Sequence, residues 1–393
     1  MENKYLKYGN KYDCNGCGIC TLVCPKKCIH MEQDNEGFYY PVIDEEKCIH
    51  CNRCKNICSN DRNVQNYNRK AYIAINNNDM ERKKSASGGM FIILAKYVIE
   101  KEGVVFGVKY DDNLNVVHDE ATTIEECEKF MGSKYVRSEC FDIYEKVRDY
   151  LEKNRWVLFT GTPCQCNALK VYLNKDYEKL IICEIICHGN PSPKIFRKYV
   201  AEKEKIKNKK IIDIKFRSKE NGWSNSTPII EYEDKSKEED SILYRAFMAE
   251  LISRPSCYPC NFVDTNRISD FTIGDMWGIA KIKPDMNDGK GVSLVVVSSD
   301  KGKKVLDELK NKMRLQEIDI DVAFLYNHHK NVKENKKRSK FFKNVDKNKS
   351  IINLMQKYSK KTLISKIVDR VKRVILNKKF QKNYSNIVEN YKK

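Results

Sequence analysis

The chain has 393 residues, of which 41% are hydrophobic and 32% charged, and a formal net charge of +19 at pH 7. This length predicts two or three domains with a buried core. No apolar run is long enough to span a bilayer and Met1 begins no signal-peptide pattern, which disfavours a membrane-spanning or secreted protein. The 17 cysteines therefore indicate reduced, metal-binding thiols rather than disulfides, and we expect a cytoplasmic protein.

Eight cysteines near the beginning of the chain follow one spacing twice, as Cys14-x2-Cys17-x2-Cys20-x3-Cys24-Pro25 and as Cys48-x2-Cys51-x2-Cys54-x3-Cys58. This spacing is typical of bacterial two-cluster ferredoxins, in which the fourth cysteine of each run binds the cluster of the other run. We predict a ferredoxin domain at residues 5–62 with two [4Fe–4S] clusters. One cluster is bound by Cys14, Cys17, Cys20 and Cys58, and the other by Cys24, Cys48, Cys51 and Cys54.

Two other interpretations of these cysteines are a zinc site and a disulfide scaffold. Zinc sites usually combine two CxxC knuckles for each metal, which differs from a three-cysteine run completed by a fourth. Between the two runs, the sequence at residues 35–37 predicts the turn of a hairpin.

Beyond a polar linker at residues 60–70, short apolar strands alternate with helices. We predict strands at 71–75, 103–110, 155–159, 180–186, 211–216, 228–232, 270–274 and 292–297. Helices are predicted at 90–100, 141–153 and 166–173, and Thr123 with Glu126 predicts a capping box. This alternation indicates an α/β core with parallel strands, whose functional residues collect at the carboxyl ends of the strands.

Two features of this core suggest ligands. Ser87-Gly88-Gly89 precedes a helix, where free N–H groups could hold a phosphate, although an ordinary helix start explains the same residues. Four further cysteines form a possible third metal site: Cys164, Cys187, Cys257 and Cys260. A structural zinc, a redox pair of Cys164 with Cys166, and unrelated buried thiols are the alternatives.

The remaining cysteines are interpreted as packing residues: Cys28, Cys127, Cys140, Cys166 and Cys183. His30 and His50 lie near the predicted clusters, and we expect both imidazoles to face solvent.

Several motifs, in this order, resemble the beta subunits of coenzyme F-420-reducing hydrogenases and dehydrogenases, here fused to a dicluster ferredoxin. They are Ser85-Ala86-Ser87-Gly88-Gly89, Gly132-Ser133-Lys134-Tyr135-Val136, Phe159-Thr160-Gly161-Thr162-Pro163-Cys164-Gln165, Cys187-His188-Gly189-Asn190-Pro191-Ser192-Pro193, Arg254-Pro255-Ser256-Cys257-Tyr258-Pro259-Cys260, Gly274-Asp275-Met276-Trp277-Gly278 and Gly291-Val292-Ser293-Leu294.

The resemblance implies a mixed α/β flavin-binding domain, with parts at residues 70–155 and 156–326, that holds FAD beside a third [4Fe–4S] cluster. Its ligands would be the four cysteines named above, with Cys164 and Cys166 as alternatives for one position. The implied cofactor-binding residues are Ser87, Gly88, Gly89, Thr160, Gly161 and Thr162. The implied catalytic residues are Lys134, near the flavin or the substrate, and His188.

The resemblance therefore implies a flavin-dependent iron–sulfur oxidoreductase. It would pass electrons between a ferredoxin-like one-electron carrier and an unidentified hydride-type substrate or coenzyme. The alternative is a non-catalytic electron-transfer subunit of a larger complex. Relatives with this domain layout also suggest a link to surface-polysaccharide synthesis.

The positive charge is concentrated in a basic tail at residues 327–393. Residues 328–393 contain 21 Lys and Arg but 4 Asp and Glu, whereas the preceding chain is nearly neutral. Residues 360–376 predict a basic amphipathic helix, which could pack on the body, touch an anionic membrane or dock on an acidic partner. Nucleic acid is disfavoured because the tail has no base-reading motif.

Overall fold

A computed structural model describes residues 10–60, 68–347 and 349–360 of the chain. Most of the predicted linker and nearly all of the predicted helix at residues 360–376 lie outside the described residues. Among the residues described, none of the helices is both long enough and apolar enough to cross a membrane.

The N-terminal unit contains two short helices and a hairpin: α1 (Ile19–Leu22), β1 (Ile29–Gln33), β2 (Tyr39–Ile43) and α2 (Arg53–Asn56). Antiparallel pairing of β1 with β2 confirms the predicted hairpin. Asp34 closes the turn, because its Oδ1 accepts hydrogen bonds from the backbone N–H groups of Glu36 and Phe38, each at 3.0 Å.

Each short helix follows a residue in the left-handed conformation. Gly18 has a φ of 82° before α1, and Asn52 has a φ of 58° before α2. Glycine, and less often asparagine, adopts this conformation at low cost. The turn that each cysteine run needs therefore lies two residues before its third cysteine.

The first part of the body contains five strands and six helices. In chain order they are β3 (Lys70–Asn76), α3 (Asp79–Lys84), α4 (Met90–Ile99), β4 (Val104–Tyr110), β5 (Val116–Ala121), α5 (Ile124–Glu128), α6 (Ile143–Glu152), β6 (Val157–Gly161), α7 (Pro163–Leu173), β7 (Leu180–Ile185) and α8 (Pro193–Lys207). The capping box predicted at Thr123 is confirmed at the start of α5.

The second part continues with shorter elements. In chain order they are β8 (Ile211–Ser218), β9 (Thr227–Tyr232), β10 (Lys237–Glu239), α9 (Ile242–Met248), β11 (Phe271–Asp275), α10 (Ile279–Ile282), β12 (Ser293–Val297), α11 (Asp300–Leu309), β13 (Met313–Ile318), α12 (Ile320–Phe324), α13 (Arg338–Val345) and α14 (Ile351–Ser359). Three single 3₁₀ turns lie at Pro255–Cys257, Pro284–Met286 and Lys310–Lys312.

An eight-stranded mixed sheet organises the body, in the order β13-β3-β12-β11-β7-β6-β4-β5. The predicted parallel pairing is found for β4, β6, β7 and β11, while β5, β12, β3 and β13 join by antiparallel pairs. β5 is antiparallel because a short turn connects it directly to β4, without a crossover helix. The carboxyl ends of β3, β6, β7 and β11 consequently share one edge with the start of β12, and we call this the site edge.

The sheet is buried on both faces. Leu158 of β6 packs in the apolar layer beneath α4 and α11, whereas its neighbours Val157 and Phe159 pack in the layer beneath α6 and α7. All three side chains are fully buried. A strand covered on both faces needs a continuous apolar run, which is the pattern in the sequence of β6.

A second, three-stranded sheet (β10-β9-β8) forms another apolar cluster with α8 and α9. The helices α13 and α14 pack into this cluster through Phe341, Phe342, Ile351 and Met355. The first part of the predicted basic tail therefore belongs to the packed body.

The N-terminal hairpin docks on the body through buried polar contacts. Arg338 donates from both terminal nitrogens to the Glu36 carboxylate, at 2.8 and 2.5 Å. Ser192 Oγ donates to the Glu36 carbonyl at 2.5 Å, and Lys194 Nζ donates to the Asn35 carbonyl at 2.6 Å. These bonds hold the N-terminal unit against the start of α8 and of α13.

Candidate iron–sulfur centres and the site edge

The structure brings together the first predicted ligand set, Cys14, Cys17, Cys20 and Cys58, in the N-terminal unit. Burial raises the pKa of Cys17 to about 12, with smaller increases from Cys14 and Cys58. Burial also raises the pKa of Cys20 well above its usual value, with Cys17, Cys14 and Cys58 adding to the effect. Because ligation requires thiolates, a cationic metal centre must supply the charge that stabilises them.

The second predicted set, Cys24, Cys48, Cys51 and Cys54, lines a cavity of about 210 Å³. Cys51 is exposed, so this set lies nearer to solvent than the first. Burial, followed by the neighbouring thiols of Cys24 and Cys51, raises the pKa of Cys54. Cys24 thus lines one cavity with the second run, and Cys58 lines another with the first run, as the predicted exchange of fourth cysteines requires.

Cys28, which the sequence analysis interprets as a packing residue, lies beside a predicted cluster ligand. Its thiol is buried but lies 3.4 Å from Cys24 Sγ and lines the same cavity. The hydrogen bond to Cys24 is the main cause that raises the pKa of Cys28 to about 11. Its position four residues after Cys24 was the available signal. His50 and His30 are exposed, and the His50 N–H donates to Cys48 Sγ at 3.4 Å.

The third predicted set assembles at the site edge. Cys164 lies at the start of α7 after β6, Cys187 follows β7, and Cys257 and Cys260 come from the loop after α9. Burial raises the pKa of Cys187 well above its usual value, and the charges of Cys257, Cys164 and Cys260 raise it further. Four thiols from three distant segments therefore face one another.

Cys164, rather than Cys166, belongs to this set. The thiol of Cys166 is fully buried and points towards the carbonyl of Cys183, at 3.9 Å. The Thr162 hydroxyl lies 3.2 Å from Cys164 Sγ. Two other thiols of the set accept backbone N–H groups: Cys257 from Asn190 at 3.3 Å and Cys260 from Phe262 at 3.4 Å. Such bonds favour the thiolate form that a metal ligand needs.

Two buried arginines, Arg137 and Arg254, lie between the first and the third cysteine sets. Arg254 donates through Nε to the Cys14 carbonyl at 2.9 Å, and Arg137 donates through Nη2 to the Gly16 carbonyl at 2.8 Å. Neither residue was identified from the sequence as part of a site, although each belongs to or adjoins one of the motifs of the resemblance.

The segment Ser87-Gly88-Gly89 is tightly packed at the start of α4. The Gly88 N–H donates to Ser293 Oγ at 3.0 Å, and the Ser87 hydroxyl donates to the Val292 carbonyl at 2.7 Å. A Cβ atom at Gly88 would lie 2.5 Å from the backbone of both Ala74 and Ser293. Close packing between β3 and β12 thus explains this glycine, and its N–H is already used within the protein.

Thr160, Gly161 and Thr162 occupy the end of β6 at the site edge. Thr160 Oγ1 donates to the Phe106 carbonyl at 2.9 Å. The Thr162 hydroxyl and N–H both donate to Gln165 Oε1 at 2.9 Å, which orders the first turn of α7. These contacts position Cys164, two residues further along.

The two residues predicted to be catalytic lie apart. Lys134 Nζ donates to the carbonyls of Lys129 and Met131, each at 2.9 Å, and burial lowers its pKa to about 8. His188 Nε2 lies 2.6 Å from Glu250 Oε1, beside Cys187. Lys134 Nζ is therefore held by the backbone of residues 129–131, whereas His188 borders the third cysteine set.

An aromatic and cationic group at the site edge was not predicted. The rings of Trp223 and Trp277 stack at 5.3 Å, and the Arg217 guanidinium lies 4.8 Å from the Trp277 ring. Asp275 pairs with Arg217 at 2.7 Å and accepts the Trp223 indole N–H at 2.8 Å. Asp275 and Trp277 belong to a motif of the resemblance, but Arg217 and Trp223 come from other segments.

Lys219 connects this group to the start of α4. Its Nζ donates to the carbonyls of Ser87, Arg82 and Lys290, at 2.6, 2.8 and 2.8 Å. Burial lowers the pKa of Lys219 to about 8, and the nearby Arg82 charge lowers it further. The site edge thus combines a partly exposed indole with two neighbouring cations.

Comparison with known proteins gives matches to the two families that the sequence motifs resemble. Residues 154–322 match the family described as the C terminus of the coenzyme F420 hydrogenase/dehydrogenase beta subunit, and residues 13–61 match the 4Fe-4S dicluster domain. A chain in a solved structure of the F420-reducing [NiFe] hydrogenase complex from Methanosarcina barkeri is similar at 18% identity, with a TM-score of 0.45. That match covers 76% of this chain and 92% of the other. The comparison with curated proteins gave no significant match.

Proposed function

We infer that the chain is an electron-transfer protein of the oxidoreductase type, because residues 154–322 match the C-terminal domain of beta subunits in the coenzyme F420 hydrogenase/dehydrogenase family and residues 13–61 match a 4Fe-4S dicluster domain. We propose that it passes electrons between a one-electron carrier such as ferredoxin and a hydride-type substrate or coenzyme. FAD and three [4Fe–4S] clusters are the proposed cofactors.

The observation that carries this proposal is the grouping of twelve cysteines into three sets of four that adjoin one another. Burial and the other thiols of the first set are the main causes that raise the pKa of Cys20. Cys54 of the second set also raises it. Burial raises the pKa of Cys257 in the third set, and the charge of Arg254, which contacts Cys14 of the first set, partly offsets this effect. The order of the sets from the exposed end inward is therefore second, first and third.

The donor types of the third set fit an iron–sulfur cluster. Four cysteines without a histidine suit either zinc or a cubane cluster. The buried position, the two N–H···S contacts and the proximity to the first set favour a cluster that exchanges electrons with it. A zinc ion at this place would have no redox role.

The structural support for FAD differs between its flavin ring and its phosphates. The partly exposed Trp277 ring and the neighbouring cations Arg217 and Lys219 suit a planar ring system with anionic groups. The Gly88 N–H does not support phosphate binding, because Ser293 already accepts its hydrogen bond. FAD therefore rests mainly on the resemblance. A bound flavin would take two electrons as a hydride and return them one at a time to the clusters.

The residues of the chain have defined tasks in this proposal. Thr162 orients Cys164, Asn190 and Phe262 hold their neighbouring thiolates, and Lys134 is a candidate to face the flavin or the substrate. His188, hydrogen-bonded to Glu250, is a candidate for proton transfer beside the third set. A role in surface-polysaccharide synthesis is part of the proposal that rests on the resemblance alone.

The experiment is anaerobic purification followed by quantification of iron, sulfide and flavin. The isolated chain is then assayed with reduced ferredoxin against a panel of nicotinamide, flavin and deazaflavin coenzymes. Stoichiometric flavin and turnover of one coenzyme by the isolated chain are the expected results. Absence of flavin would contradict the hydride step.

The second candidate function is a non-catalytic electron-transfer subunit. It is favoured by the description of the family as beta subunits, which implies a partner protein. In that case the isolated chain would take electrons from ferredoxin but reduce none of the coenzymes. Turnover would appear only after a partner subunit is added.

A further inference from the structure

The buried residues Arg137 and Arg254, which we call the arginine pair, have surroundings that ordinary packing does not explain. Their relative exposures are 2% and 0%. Each guanidinium has an Nη1 atom that is buried and makes no hydrogen bond within the described residues. A buried cation with unsatisfied donors costs several kcal/mol unless an anion lies near it.

Arg254 contacts the first cysteine set from the side of the third. Its Nε donates to the Cys14 carbonyl at 2.9 Å, and its Nη2 lies 3.9 Å from Cys14 Sγ. Its own carbonyl accepts the N–H of Cys257 at 2.9 Å, so the residue is also part of the loop that carries the third set. The Tyr40 ring lies 4.1 Å from the guanidinium, and Nη2 also donates to the Tyr39 carbonyl at 2.9 Å.

Arg137 makes the corresponding connection through Gly16. Its Nη2 donates to the Gly16 carbonyl at 2.8 Å, in the loop between Cys14 and Cys17. Although burial lowers the pKa of Arg137, the charges of Glu139 and of Cys164 raise it above its usual value. Arg137 thus lies within the electrostatic reach of both cysteine sets, with Glu139 as a partial counter-charge at 3.3 Å.

We propose that the arginine pair sets the reduction potentials of the two clusters between which it lies. A cubane held by four thiolates is anionic, and it becomes more so when it accepts an electron. A cation within a few ångströms stabilises the reduced state and raises the potential. The two Nη1 atoms, which are buried without a hydrogen bond within the described residues, are donors that cluster sulfur could accept from.

The step that the arginine pair serves is the transfer of one electron from a reduced to an oxidised cluster, without a proton or a leaving group. If both potentials rise by similar amounts, the difference between the first and the third cluster is unchanged, so the arginine pair favours neither direction of transfer. The second cluster, near solvent and distant from the pair, would keep its own potential. The inference rests on the proposed third cluster for Cys257, but for Cys14 it needs only the dicluster domain.

Gly16 is required for this arrangement. A Cβ atom there would lie 2.7 Å from Arg254 Nη1, and the residue has a φ of 67°. The glycine therefore allows the guanidinium to approach the backbone of the first set.

The test is an EPR-monitored redox titration of each cluster in the full chain, with iron content measured in parallel. Arg254→Gln and Arg137→Gln are expected to shift the potentials of the first and third clusters to lower values and leave the second unchanged. Arg254→Lys, which keeps the charge, should give a smaller shift. Arg338→Lys is the matched control, because Arg338 is equally buried but pairs with Glu36 rather than with a cysteine set.

Unchanged potentials of the first cluster in both glutamine variants, with iron fully retained, would overturn the inference. So would an equal shift of all clusters, since that would indicate a general structural effect. If a glutamine variant loses iron, the potential of the first cluster in Arg254→Lys becomes the deciding measurement. If the wild-type chain has no third cluster, the proposed function loses that part, while the first cluster still tests the arginine pair.

Discussion

The second and the third cysteine sets each contain four thiols but are built in opposite ways. The second is formed mainly by a local run, with its ligands on one short helix and its loop, and Cys51 of this set is exposed. The third combines the ends of β6 and β7 with a separate loop, and its four cysteines are partly exposed, with none of them as open to solvent as Cys51. Water and surface lysines can compensate the thiolate charge of the second set, whereas the protein itself must provide the compensating charge at the third set.

This difference explains why arginines are buried beside the third set. Arg137 and Arg254 lower the pKa of Cys257, against the larger effect of burial, and Arg267 lowers that of Cys260. Near the second set, the exposed side chains of Lys26, Lys55 and Arg53 are the corresponding cations. The deeper site therefore depends on tertiary structure, and the shallower one on spacing.

The largest expected effect tests whether the N-terminal unit depends on the body. Arg338→Ala would leave the Glu36 carboxylate, which is 12% exposed at the interface, with Lys11 Nζ at 3.2 Å as its remaining partner. Removal of one partner of a buried ion pair costs about 3–5 kcal/mol, and the pairing with Lys11 places the expected cost at the lower end of this range. The midpoint of urea unfolding, measured anaerobically, should fall accordingly.

Lys237→Ala is the control for this change, because its partner Glu220 is an exposed residue. It should leave the urea midpoint unchanged. Equal midpoints for the two variants would show that the Arg338–Glu36 pair does not hold the N-terminal unit on the body, and the dependence inferred from Glu36 would be wrong.

The next effect is a dependence of stability on pH that arises from a histidine in the body. Burial lowers the pKa of His118 to about 4, from an ordinary value of 6.5, while its Nε2 donates to the Thr160 carbonyl at 3.0 Å. The unfolded chain therefore binds the proton more readily between these two values, so stability is complete above pH 6.5 and falls as the pH drops towards 4. From pH 7 to pH 5 this group should cost about 2 kcal/mol.

His118→Gln should remove that part of the pH dependence, because glutamine can donate to Thr160 but does not titrate. The measurement is the free energy of unfolding at both pH values for the wild type and the variant. An identical loss of stability in the two proteins would mean that other groups cause the acid sensitivity.

The smallest expected effect comes from the removal of one hydroxyl group beside the third cysteine set. Thr162→Ala and Thr123→Ala both remove an N-cap residue, at the starts of α7 and α5, and each should cost about 1 kcal/mol. Only Thr162 lies beside a cysteine of the third set, at 3.2 Å from Cys164 Sγ. The EPR signal of the third cluster should therefore change in Thr162→Ala, remain in Thr123→Ala and be restored in Thr162→Ser. The same signal in both alanine variants would separate the hydroxyl from the cluster.

The sequence was sufficient for the features that depend on local spacing. The two N-terminal sets, the hairpin and six of the eight strands of the central sheet were predicted because turns, apolar runs and cysteine intervals lie close together in the chain, whereas the edge strands β5 and β13 were not predicted. The choice between Cys164 and Cys166 could not be made, because residues two apart on a helix point to different sides. Only the packing of α7 decides which thiol faces Cys187.

Other features required the tertiary structure. An arginine is usually a surface residue, and Arg137 and Arg254 become buried only because the N-terminal unit docks on the site edge. The sequence indicated a phosphate site or a helix start at Gly88, and the structure adds close contact with Ala74 and Ser293 as a physical reason for the glycine. The parallel pairing predicted for the whole core applies only to four neighbouring strands of the large sheet, β11, β7, β6 and β4.

The most direct test of the account is the iron and acid-labile sulfide content of Cys257→Ala beside the wild type, purified anaerobically. Three cubane clusters predict about twelve irons in the wild type and about eight in the variant, with the EPR signals of the two N-terminal clusters retained. Cys127→Ala, at a buried cysteine outside the three sets, should keep all the iron. Equal iron in the wild type and Cys257→Ala would contradict the assignment of the third cluster to these cysteines.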